Sequence, residues 1–163
     1  MENNIIIENK KIQDHKELYL LAYGTLRKDQ YNYNRIRDLF QIKDLAISYV
    51  ETTKLRGYSM YNVGAYPMAV FTNKPSETIV FDILRISDKA FMIIDNMEIN
   101  AGYTRHKLPI NIETQSFTLK TECIIYLANV EDQKEIDEIE VLNKTDKVES
   151  GDWVQYYKNF LLN

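Results

Sequence analysis

The sequence predicts an α+β domain built on a closed or strongly curled sheet. Three observations carry that expectation. Many short segments alternate or run apolar as strands do, only a few show helical spacing, and aromatic residues are plentiful. The twelve tyrosines and six phenylalanines suit a pleated, half-buried surface. At 163 residues the chain has the length of one domain with a proper core.

Residues 1–17 read as an N-terminal extension, with a short Ile5-Ile6-Ile7 run ahead of the polar Lys11-Ile12-Gln13-Asp14-His15-Lys16-Glu17. It is either an extra edge strand or an arm. The domain itself spans 18–163. It opens with the apolar run Leu18-Tyr19-Leu20-Leu21-Ala22-Tyr23, a strand that stops at Gly24 in a tight turn. Residues 29–40 place Tyr33, Ile36, Leu39 and Phe40 on one face of a short helix, with Asp29 as its cap. Residues 44–52 and 55–63 read as strands. A turn at Gly64 leads into a third extended piece, where Pro67 belongs at a strand start or an edge because it lacks a ladder donor. After the turn Lys74-Pro75-Ser76, residues 78–86 alternate as a strand. Ser87 caps a helix that runs through Phe91, Met92, Ile93, Ile94 and Met97 and ends near 100–102. Residues 103–112 and 117–127 form two long strands joined by a short turn. The acidic stretch 130–149 is a helix or a solvated excursion, and Ser150-Gly151-Asp152-Trp153 begins a last short helix through Phe160.

Composition excludes several function classes. A formal net charge of −4 argues against a general nucleic-acid or anionic-membrane surface, which needs a basic face. The single cysteine, Cys123, forbids an intrachain disulfide and a Cys-rich zinc site, and it reads as a small buried strand residue. The two histidines, His15 and His106, have no partners at metal-ligand spacing, so neither metal nor cofactor is expected. The N-terminus is too acidic, and its apolar part too short, for a signal peptide. No apolar run reaches the length of a membrane span. A cytoplasmic protein is expected.

Few residues are placed to do chemistry. Glycine at the first turn permits an unusual backbone and close approach of a ligand to the main chain. Successive amides there can bind a carboxylate or phosphate, although an isolated glycine also serves plain turn geometry. Glu98 and Asp95 follow a strongly apolar helical segment three residues apart, so they share roughly one face. A carboxylate carried there can be partly desolvated and raised toward the range of a general base. It can equally be a structural helix-end acid bonded to backbone or to Arg105. Alternation puts Tyr103 and Arg105 on one face of the next strand, where they can brace Glu98, touch a ligand or form an ordinary cross-strand pair. Lys28, Arg35 and Arg37 read as a solvated basic face, and Trp153 as core or lid packing.

Taken together in order, five short motifs downstream of the first strand resemble the γ-glutamylcyclotransferase-like family. They are Tyr23-Gly24-Thr25-Leu26-Arg27, Arg56-Gly57-Tyr58 with Tyr66-Pro67, Asp95-Asn96-Met97-Glu98, Tyr103-Thr104-Arg105, and the closing Ser150-Gly151-Asp152-Trp153. The likeness covers about residues 18–160. It implies a compact mixed β-barrel with flanking helices and a pocket at the barrel mouth. It also implies that Tyr23, Gly24, Thr25 and Leu26 hold a small-molecule γ-glutamyl substrate, with Tyr103 and Arg105 beside it and Glu98 as the proton shuttle. The implied reaction is release of 5-oxoproline without metal or cofactor; a non-catalytic binding module on the same scaffold is the other reading. Ile99 stands where a glycine often follows the family's glutamate.

Overall fold

A computed structural model describes residues 18–64, 66–113 and 118–162. The expected extension 1–17 and the turn between the two long strands lie outside the described residues. Strand β1 (Leu18–Ala22) is the centre of the main sheet. It pairs antiparallel with β5 (Thr78–Ile86) and parallel with β7 (Thr118–Ala128). The outer strands are β2 (Ile47–Arg56), antiparallel to β5, and β6 (Tyr103–Glu113), antiparallel to β7. The sheet order is therefore β2-β5-β1-β7-β6, while β3 (Tyr58–Asn62) and β4 (Pro67–Phe71) form a separate two-stranded ribbon. The helices are α1 (Tyr31–Asp38), the single turn α2 (Lys43–Ala46), α3 (Asp88–Asn100), α4 (Gln133–Leu142) and α5 (Trp153–Leu162).

A period of two explains how the central strand feeds two cores at once. Tyr19, Leu21 and Tyr23 point to one face with Phe81, Ile83, Cys123, Ile125 and Leu127. Met60 and Ala69 of the ribbon, together with Val148 and Trp153, cover that face. Leu20 and Ala22 point to the other face with Leu84, Ile86, Ile124 and Tyr126, under Tyr33 and Ile36 of α1 and Ala90 and Ile94 of α3. Each fully buried aliphatic side chain here contributes about 1.5–3 kcal/mol relative to exposure. Cys123 is buried in this packing, as a small strand residue should be.

The α+β class and the curl of the sheet are as expected; barrel closure is not. The edge strands β2 and β6 flank a cleft lined by Glu51, Lys54 and Leu55 on one side and by Pro109, Ile110 and Asn111 on the other. Two local features oppose pairing across it. Pro109 brings no N–H to its strand, and β2 carries a register shift between Tyr49 and Glu51 that bends it.

Three further expectations need correction. Asp29 is not the cap of α1: it takes a left-handed backbone, φ 64, and Gln30 occupies the cap position without a side-chain bond. Residues 43–46 are a helical turn, so the strand expected from 44 begins at Ile47. Gly24 is not among the glycines with positive φ. Its lack of a side chain serves packing instead, because a Cβ there would lie 2.5 Å from Cγ of Pro67. Ser87 does cap α3, its side chain accepting from the Ala90 N–H.

Candidate active site

The turn after β1 is held from behind. Its Gly24 carbonyl accepts from Arg27 N at 3.0 Å, and the Thr25 carbonyl accepts from the amides of Asn32 and Tyr33 at the start of α1. The Thr25 hydroxyl accepts from Asn32 Nδ2 at 2.7 Å. Among the described residues the amides of Gly24, Thr25 and Leu26 make no hydrogen bond. The loop thus directs its carbonyls into the protein and keeps donors in reserve, which is the disposition an anionic or carbonyl group needs.

Arg27 anchors the loop from below. It is buried, with Nη1 2.8 Å from Asp152 Oδ1 and Nε 3.4 Å from Asp82 Oδ2. Asp82 also accepts from Lys28 N and from the Thr52 hydroxyl. The Ser150-Gly151-Asp152-Trp153 segment completes this junction. Gly151 has φ 68, and a Cβ there would collide with the Thr78 carbonyl, while Trp153 is fully buried.

Helix α3 delivers the acid. Ala90 and Ile94 are its buried residues, and Glu98 follows Ile94 by one more step of four, so the apolar seam facing the sheet ends in a carboxylate. Glu98 is half-buried, and among the described residues it has no hydrogen-bond or ion-pair partner. Burial pushes its carboxyl up to about 7. Burial raises the hydroxyls of Tyr23, Tyr103 and Tyr126; Asp95 adds to this at Tyr126, and the negative charge of Glu98 contributes more weakly to all three.

These parts meet in one cavity of about 430 Å³. Its floor is β1 from Leu20 through the turn at Leu26, and one wall is Met97, Glu98 and Ala101 of α3. Tyr103 and Tyr126 close a second side, and Val63, Tyr66 and Pro67 of the ribbon turn form the rim. Three of the four tyrosine hydroxyls around the cavity are committed as donors. Tyr23 donates to the Tyr126 carbonyl, Tyr103 to the Pro67 carbonyl at 2.8 Å, and Tyr126 to Asp95 Oδ1 at 2.8 Å. These bonds fix the three rings that wall the cavity.

Of the residues singled out from sequence, Tyr23, Gly24, Thr25, Leu26, Glu98 and Tyr103 line this cavity. Arg105 does not. Its Nη1 sits 2.7 Å from Asp95 Oδ2, and its guanidinium lies over the Phe91 ring at 5.6 Å. The sequence reading missed Tyr126, Met97, Ala101 and Val63. A signal existed for Tyr126, since one tyrosine in the otherwise apolar run Cys123-Ile124-Ile125-Tyr126-Leu127 needs a partner for its hydroxyl. Among the described residues no group of three or more His, Cys, Asp or Glu side chains converges on a metal position, and no helix is long and apolar enough to cross a membrane.

Comparison with known proteins identifies a family and a shared fold. Residues 20–155 match the family model described as gamma-glutamyl cyclotransferase, AIG2-like. An uncharacterized protein of Pyrococcus horikoshii has a similar structure, with a TM-score of 0.58 at 15% identity over 90% of this chain and 98% of that one. An AIG2-like protein of Mus musculus matches with a TM-score of 0.59 at 14% identity, over 75% of this chain and 84% of that one. YkqA of Bacillus subtilis gives 0.59 at 20% identity, over 91% of this chain but only 44% of that one. At these identities the structural likeness speaks to fold. No curated protein matches the chain by sequence.

Proposed function

The chain belongs to the gamma-glutamyl cyclotransferase, AIG2-like family, and on that premise we propose that its cavity converts a γ-glutamyl amine or peptide into 5-oxoproline and a free amine. The observation that supports this reading most is the meeting, in one cavity, of a half-buried Glu98 and the amides of Gly24–Leu26, none of which has a partner among the described residues. The α-nitrogen of the glutamyl group forms a bond to its own γ-carbonyl carbon, and the bond from that carbon to the leaving nitrogen breaks. Glu98 takes the proton lost by the attacking nitrogen and passes it to the departing one. Every atom of both products then comes from the substrate, and no water is consumed.

Three physical contributions support the assignment. The attack is intramolecular, so holding the chain folded over the carbonyl supplies several kcal/mol of barrier reduction. Amides facing the developing oxyanion contribute about 3 kcal/mol more where their geometry is right. A carboxyl displaced to about 7 is also matched to proton transfer near neutral pH. A purely binding role would be favoured by a Glu98 neutralised by Arg105, but Arg105 is engaged with Asp95.

The test is Glu98→Gln, which keeps shape but cannot accept a proton. Release of 5-oxoproline from a panel of γ-glutamyl amines and peptides should fall roughly 100-fold or more, while binding of 5-oxoproline persists. Undiminished turnover removes Glu98 from the mechanism.

A further inference from the structure

Asp95 lies one helical turn before Glu98 on α3, and its carboxylate is bonded to residues of two strands. One carboxylate oxygen accepts from the Tyr126 hydroxyl of β7 at 2.8 Å, and the other pairs with Arg105 Nη1 of β6 at 2.7 Å. Arg105 and Tyr126 are themselves opposite each other in the β6–β7 register. Arg105 also covers Phe91, one turn earlier on the same helix. Adjacent turns of α3 are thus gripped at Phe91 and Asp95 by strand residues, and the next turn carries Glu98. Tyr126 belongs to both structures at once, since it lines the cavity and holds the helix.

We infer that Asp95, Arg105 and Tyr126 form a positioning network that fixes Glu98 relative to the turn amides, with Asp95 as its hub. The inference rests on the cyclotransferase reading for its effect on turnover, but its geometric content stands apart from that reading. The geometry has a reason to exist. Glu98 has no bond of its own among the described residues, so its place is set by the helix backbone rather than by a local partner. A carboxylate in that condition drifts by an ångström if the helix end rocks, and a displacement of that size at a reacting centre costs on the order of 100-fold in rate. Locking the helix through Asp95 leaves the Glu98 oxygens unencumbered. Pairing Arg105 directly with Glu98 would have fixed the acid but neutralised it.

The experiment compares Tyr126→Phe, which removes one hydroxyl and keeps the ring, with Asp95→Asn and with the double variant, all in the full chain. The first readout is the titration of the Glu98 carboxyl by carbon NMR, assigned by its loss in Glu98→Gln and independent of any substrate. Loosening the helix lets water reach the acid, so each single variant should lower the Glu98 midpoint by about 0.5 pH units or more. The double variant should move it hardly further than the larger single, because the residues act through one contact. The second readout is 5-oxoproline release. Each single variant should lose about tenfold in kcat with KM changed less than about threefold. An unmoved Glu98 midpoint in both single variants, whatever their melting temperatures, overturns the network. If Glu98→Gln still turns over while the midpoint shifts, the cyclotransferase reading fails and the network survives.

Discussion

Glu98 concentrates the physics of the site in one side chain. Its carboxyl titrates near 7 in the folded protein because burial disfavours the anion. As a base it must be ionised, so turnover should rise with pH through about 7 and then level off, a limb that kcat/KM measurements against pH will display. The same displacement has a cost. An unfolded glutamate titrates at about 4.3, so the folded state holds the proton more tightly, and stability from this group is present below that value and lost as pH climbs through 7. Glu98→Gln escapes the loss. Allowing for residual solvent contact, urea melts should find it about 1–2 kcal/mol more stable relative to wild type at pH 8 than at pH 4. Gly24 shows a different constraint. In Gly24→Ala the added methyl meets Cγ of Pro67 at 2.5 Å, and the Pro67 carbonyl is the acceptor for Tyr103. Melts should show a loss of about 1–3 kcal/mol, with a weakened response to 5-oxoproline because that wall of the cavity shifts.

Among the elements, the first turn and the closing segment depend on each other through Arg27. One guanidinium reaches Asp82 on β5 and Asp152 ahead of α5, so a loop near the start and a segment near the end are clamped to the central sheet. Arg27→Met leaves Asp82 buried without its cation and should cost about 3 kcal/mol or more in chemical denaturation. Arg27→Lys should recover only part of this, because the guanidinium reaches Asp82 and Asp152 from two different nitrogens and a compact ammonium has no such span. How much of this was legible varies with the reach of the cause. The cap at Ser87 and the strand 78–86 follow from local sequence and stand where expected. Glu98 was visible as an acid ending an apolar helical seam. Arg105 was placed near the correct helix but its partner is Asp95, since residues three apart share a face and spacing alone does not choose between them. Asp29 and residues 43–46 depart from expectation because a left-handed backbone at Asp29 and a helical turn at 43–46 override the local signals.

At the scale of the whole molecule, the sheet supports two cores and leaves one cavity where the turn, α3 and the ribbon converge. That β1 is buried on both faces could be read from its continuous apolar run, whereas the failure to close into a barrel could not, because it depends on how far apart β2 and β6 lie after the sheet has curled. The tight contact of Pro67 on Gly24 was hidden for the same reason: it joins positions distant in sequence. The proposed chemistry requires the turn amides and Glu98 to converge upon one small molecule, and a crystal structure of the protein soaked with 5-oxoproline addresses this most directly. The ligand should lie within hydrogen-bond distance of an amide in Gly24–Leu26 and of a Glu98 oxygen at the same time. Density for 5-oxoproline outside that cavity, with the turn and Glu98 both untouched, would contradict it.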